Sequence, residues 1–105
     1  MTLVIQGGRL IDPANSVDGK KDVFIDDDGF VVGVGKAPPG FKARKTIDAR
    51  GKIACPGLVD LRARLREPGL EYKATIESEV HAAVAAGITT LCCPPDTLPV
   101  IDTPA

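Results

Sequence analysis

Histidine occurs once in this chain, as His81, so a histidine-based metal cluster cannot form from these residues alone. Cysteine occurs three times, as Cys55, Cys92 and Cys93. An odd number with two adjacent members makes a poor disulfide framework, and no C-x-x-C pair suggests a structural zinc. The expected role of these thiols is buried packing as small apolar groups. A strong net charge is also lacking: the formal value is -1 and the pI near 5.7, which gives no global attraction to nucleic acid or to anionic lipid. No apolar run approaches the roughly 20 residues that span a bilayer. The opening MTLVIQGGRL has no basic region followed by a long apolar stretch. That argues against a secretory signal, and the expected location is the cytoplasm. Internal repeats and low-complexity segments are absent as well.

What remains is a globular composition. The chain has 105 residues, 44% hydrophobic and 26% charged, which suits one small folded domain and excludes a disordered one. Residues 1–54 read as short strands broken by turns. Strands are expected at 3–6, 9–11, 23–25, 46–48 and 52–54, with Asp28-Gly29 marking a hairpin between VFIDD and FVVGVG. The expected result is a small antiparallel β module.

Cys55-Pro56-Gly57 marks a boundary, and the region 55–105 has a different pattern. Residues 58–65 alternate as a strand. Ile76, Val80, Ala83 and Val84 recur at helical spacing over about 75–86, with Gly87 just past the end. Residues 88–93 form a continuous β-branched and apolar run, as in a strand covered on both faces. A loop is expected from Cys93 through the proline-rich tail to Ala105. Strand, helix and parallel strand make a βαβ unit, expected to cross over right-handed. One such unit cannot cover both faces of its own strands, so further strands are expected from additional sequence or from another chain. The fold class expected is α/β.

Within LVDLRARLREPG, Arg62, Arg64 and Arg66 alternate with Ala63 and Leu65. On a regular strand the three guanidinium groups and Asp60 would share one face. Buried cations on one face require partners.

The run from Pro56 to Pro104 resembles the N-terminal part of bacterial dihydroorotases, of the cyclic amidohydrolase group of metal-dependent TIM barrels. The pattern is Pro-Gly-hydrophobic-hydrophobic-Asp-x-His-x-His-x-Arg-Glu-Pro-Gly, a Glu-Thr-Ile-Glu-Ser helix start, a Gly-x-Thr-Thr strand, then Pro-Asn-Thr-x-Pro-Val-Ile-Asp. REPG at 66–69 and CCPPDTLPVID at 92–102 carry the resemblance most specifically, and 7-GGRLIDP-13 extends it to the first half. It implies an N-terminal β module, part of a composite β-sandwich, followed by the first strand-helix-strand of an incomplete (β/α)8 barrel. A complete barrel takes about 250 residues.

The resemblance also implies a chemistry. Two histidines at the end of the first barrel strand bind a zinc that activates water for attack on a ring amide. An arginine two residues on holds the substrate carboxylate. Here the two histidine positions are Arg62 and Arg64, the carboxylate-binding position is still arginine, Arg66, and the asparagine has become Asp96. Guanidinium offers no lone pair and stays protonated. No zinc or other cofactor and no catalytic residue are therefore expected in this chain, with Arg66 and Asp96 as a vestigial substrate-binding pair.

Three readings of the cations stay open. Asp60, Arg62 and Arg64 form a structural ion-pair cluster, with Asp96 as a further member; or the arginines bind an anion; or Arg66 alone keeps its carboxylate role without turnover. His81, Glu77 and Glu79 are expected to face solvent, and Cys92 and Cys93 to pack rather than react. The leading functional expectation is a catalytically inactive dihydroorotase-like protein that supports aspartate carbamoyltransferase in pyrimidine biosynthesis, or that self-associates. The alternatives are a piece of a metal-dependent dihydroorotase that hydrolyses dihydroorotate to carbamoyl aspartate, and a small carboxylate-binding module.

Overall fold

The computed structural model describes residues 1–103; the end of the proline-rich tail, Pro104 and Ala105, lies outside the described residues. The chain divides into two compact units, Met1–Pro56 and a second from Gly57 onward. It is a mixed α/β chain.

The first unit contains β1 (Leu3–Gln6), β2 (Arg9–Asp12), β3 (Val17–Lys20), β4 (Val23–Ile25), β5 (Val31–Val34), β6 (Lys45–Asp48) and β7 (Ile53–Ala54). They form a four-stranded sheet in the order β5-β4-β1-β6 and a three-stranded sheet in the order β3-β2-β7. The antiparallel module expected from the sequence is corrected here. β1 pairs with β6 in parallel, Leu3 opposite Lys45, and β2 pairs with β7 in parallel, Arg9 opposite Ile53. Local patterning fixes hairpins, but these parallel partners are more than 40 residues apart in sequence, beyond the reach of any turn signal.

The hairpin between β4 and β5 is where Asp28-Gly29 placed it. Gly29 has φ +87, and the Asp26 carboxylate accepts the N–H groups of Asp28 at 3.0 Å and Phe30 at 2.8 Å. Strand β3 was not foreseen. It returns antiparallel along β2 after a 3₁₀ turn at Pro13–Asn15, which leaves Ser16 in the left-handed region. Its short VDGK pattern carries little β-propensity of its own, so the pairing with β2 decides it.

The central strands β1 and β4 pack on both faces, while the outer strands β5 and β6 are largely exposed. Val4 and Phe24 lie opposite one another and are buried, and Phe24 meets Phe41 edge-on with ring centroids 5.3 Å apart. On the other face Ile5, Val23 and Ile25 line an apolar cavity of about 290 Å³ with Leu10 of β2. Gly33, opposite Phe24, leaves room for the chain above it: a Cβ there would lie 2.9 Å from Pro38 Cδ.

The second unit contains β8 (Leu58–Asp60), α1 (Ile76–Ala85) and β9 (Ile88–Leu91), with β8 and β9 parallel. Helix α1 starts on a capping box: Thr75 Oγ1 accepts the Ser78 N–H at 3.2 Å, and Ser78 Oγ accepts the Thr75 N–H at 3.1 Å. Gly87 follows the helix with φ +85, as a left-handed terminator should. The expected coverage of β9 on both faces is corrected: Thr89 and Thr90 are exposed, and so are Ile76, Val80 and Val84 along the helix stripe. One helix and one neighbouring strand cannot enclose them. No helix among the described residues is long and apolar enough to cross a membrane.

Candidate functional site

The strand expected over 58–65 stops at Asp60, and the cause is local. The Asp60 Oδ1 accepts the Arg62 N–H at 2.9 Å, an Asx-type turn that takes the chain out of extended geometry. Pairing with the β9 chain nevertheless continues. The Cys92 N–H donates to the Asp60 carbonyl at 2.8 Å, and the Cys92 carbonyl accepts from the Ala63 N–H at 2.9 Å. A regular parallel ladder would place one residue between those two bonds; here there are two, Leu61 and Arg62. The extra residue is a bulge, and it breaks the two-residue alternation.

The arrangement of the arginines is therefore a correction to the single shared face. Asp60, Arg62 and Arg64 do line one cavity, of about 450 Å³, but so do Ala63 and Leu65 between them. Its remaining wall comes from Glu79, Ala82 and Ala83 of α1 and Ala86 just after it, with Ile88 and Leu91 of β9. Arg66 is not among the lining residues. It has φ +69, rare for a residue with a Cβ, and its carbonyl accepts the Leu70 N–H at 2.8 Å.

Of the expected ion-pair cluster, one pair is seen among the described residues. Arg64 Nε lies 3.3 Å from Asp96 Oδ2, with both side chains partly exposed. Asp60 spends its carboxylate on the Arg62 backbone rather than on a guanidinium. Asp96 lies against a second, smaller cavity of about 270 Å³, lined by Leu65 and the loop Cys93 to Thr97. The buried packing expected of the thiols is also corrected, since Cys55, Cys92 and Cys93 are all free and exposed. His81 faces solvent as expected, 3.8 Å from Glu77 one turn away.

Sequence reasoning missed Glu67. Its Oε2 accepts the Ile76 N–H at 2.7 Å, an acidic group at the first turn of α1 that suits both the free N–H and the helix dipole. No sequence pattern signals a cap supplied from nine residues away. Glu71 ties the same loop: its carboxyl accepts the Gly69 N–H at 2.8 Å, and that bond, together with its own N–H, holds it below the usual glutamate range.

Residues 51–104 match the family described as dihydro-orotase-like, over half of the chain. The chain belongs to the dihydroorotase-like family. It is 54% identical over 105 residues to the "Dihydroorotase-like protein" of Pseudomonas aeruginosa, covering all of this chain and 25% of that protein. It is 48% identical over 105 residues to the "Dihydroorotase" of Trichlorobacter lovleyi, covering all of this chain and 24% of that protein. Among solved structures it is similar to "L-Hydantoinase (Dihydropyrimidinase) from Arthrobacter aurescens", with a TM-score of 0.80 and 27% identity over 96% of this chain and 22% of that one. The chain thus spans about a quarter of the length of the curated relatives it matches.

The zinc that this family resemblance implies does not fit the residues present at its first two ligand positions. Arg62 and Arg64 bring guanidinium groups with no lone pair and a permanent charge. The nearby carboxylates are engaged elsewhere, Asp60 with the Arg62 N–H and Asp96 with Arg64. Among the described residues no three His, Cys, Asp or Glu side chains come together as a metal site.

Proposed function

We propose that this chain is the opening part of a dihydroorotase-like (β/α)8 barrel that has lost its metal chemistry, and that the whole protein serves as a structural partner of aspartate carbamoyltransferase. The setting is pyrimidine biosynthesis in the cytoplasm. The observation that carries the proposal is the Arg64–Asp96 pair. A cation stands where the family resemblance implies a metal ligand, and it contacts an anion where that resemblance implies a substrate-contacting amide. Both departures oppose binding of an anionic substrate to a metal-bound water, since Asp96 adds negative charge and Arg64 repels the ion. The exposed apolar residues of β8 and α1 support association, with other segments of the same protein or with a second chain.

The test is co-purification of the full-length gene product with aspartate carbamoyltransferase. A stable complex, with carbamoyltransferase activity dependent on this chain, is the expected result; no association would remove the partner assignment. Metal content is the second arm. Removal of divalent metal by a chelator is expected to leave the melting temperature of the full-length protein unchanged. Stoichiometric zinc with hydrolysis of dihydroorotate would instead establish the enzyme reading, which the 48% identity to a protein named dihydroorotase favours.

A further inference from the structure

We infer that Arg64 and Asp96 form a charge clamp that fastens the segment after β8 to the segment after β9. The inference rests on the proposed loss of metal chemistry.

The position of the pair carries the argument. Backbone pairing between the two segments ends at the bond from the Ala63 N–H to the Cys92 carbonyl. It resumes only where the Leu98 N–H donates to the Pro68 carbonyl at 3.1 Å. Arg64 and Asp96 lie between these two tethers on their respective segments, and their 3.3 Å contact is the ion pair that spans the gap. The loop it anchors has its own internal bond, from the Asp96 N–H to the Pro94 carbonyl at 2.8 Å, so holding the Asp96 side chain holds a defined turn.

A vacant anion site is the competing use of these cations, and the lining of the larger cavity argues against it. Arg62 and Arg64 share that cavity with Asp60 and Glu79, two positive groups with two negative ones, so their formal charges cancel. Arg64 directs its Nε toward Asp96, outside the residues lining that cavity.

Hydrogen exchange read by mass spectrometry on the full-length gene product tests the clamp. The proteins compared are wild type, Arg64→Gln, Asp96→Asn and the double variant. Each single change is expected to speed exchange across 93–98 by about two- to fivefold, the range of a partly exposed ion pair. The double variant is expected to exchange no faster than either single one, because both remove the same contact. Salt at about 1 M is expected to speed the wild type alone, since screening acts only where the pair exists. Multiplicative effects of the two changes, or a wild type indifferent to salt, would overturn the clamp. Arg64→Lys, which keeps the charge, retains the salt response and serves if Arg64→Gln does not fold. Association with aspartate carbamoyltransferase is scored on the same samples. A clamp that fails while the complex persists removes this inference alone, and a complex that fails while the clamp holds removes the partner assignment alone.

Discussion

Asp60 and Cys92 are joined by a 2.8 Å backbone hydrogen bond at the point where β8 ends, and Cys92 then reaches past two residues to Ala63. The sheet therefore continues while the strand does not. Arg62 lies in the bulge, Arg64 beyond it, and Arg66 in a left-handed turn, so three residues with regular spacing have three different backbone environments.

The Thr75 cap holds the first turn of α1. Thr75→Ala removes the acceptor of the Ser78 N–H and is expected to lower stability by about 1 kcal/mol, the typical effect of losing an N-cap. Ser78→Ala removes only the reciprocal half and is expected to cost less. Urea denaturation followed by circular dichroism reads both, and a Thr75→Ala midpoint equal to wild type would show that Glu67 suffices as the cap.

Gly57 is required by the close approach of β9. A Cβ at this position would lie 2.7 Å from the Thr89 Cβ, an atom that no change of rotamer moves away. Gly57→Ala is expected to destabilise by about 1–3 kcal/mol through overpacking. Gly19→Ala, where nothing lies within 4 Å, is the control and is expected to change little. Equal melting temperatures for the two variants would contradict the close contact.

Arg66 has φ +69, a conformation glycine adopts freely and a residue with a Cβ does not. Arg66→Gly is expected to match or exceed wild-type stability, while Arg66→Ala gains nothing from the backbone. A clear loss of stability in Arg66→Gly would show that the guanidinium itself holds the loop, and would assign Arg66 a structural partner.

Acid sensitivity in the first unit follows from two arginine–carboxylate pairs. Hydrogen bonding to Arg9, at 2.7 and 2.8 Å, holds the Asp18 carboxyl below its ordinary range, and Arg50 does the same for Asp48. Because the folded values are depressed, the stabilisation is present above the ordinary carboxylate value. It is lost as pH falls through the lower folded value, below about pH 4. Both pairs are exposed, so the effect is small and salt-sensitive. An Asp18→Asn variant is expected to show a flatter stability profile in that window, measured by denaturant titration at several pH values; an unchanged slope would sink the assignment.

Much of the fold was legible in the sequence, for reasons that individual residues make plain. Asp28-Gly29 announced a hairpin because the turn needs a positive φ that glycine supplies. The helix was legible because Ile76, Val80, Ala83 and Val84 keep its period and Gly87 ends it. The parallel pairing of β1 with β6 was not, since nothing in LVIQ says that its partner lies at 45–48. In the site, Arg64 and Asp96 could be singled out by type, but their contact depends on loops 32 residues apart in sequence meeting in space. The side chain that undid the expected strand, Asp60, was in view all along. Its competition for the Arg62 N–H is a local effect that alternation counting does not include.

By itself, the sequence determined the family, the α/β class, the helix with its Gly87 terminator, and arginine at 62 and 64, where the resemblance implies metal ligands. These are properties of residue type and short-range spacing, which each segment carries with it. The tertiary structure alone decided the parallel pairing of β1 with β6 and of β2 with β7, the bulge at Leu61 and Arg62, and the pairing of Arg64 with Asp96. Those depend on which distant backbone groups meet, and an alternating pattern is a statement about one strand that its neighbour can overrule.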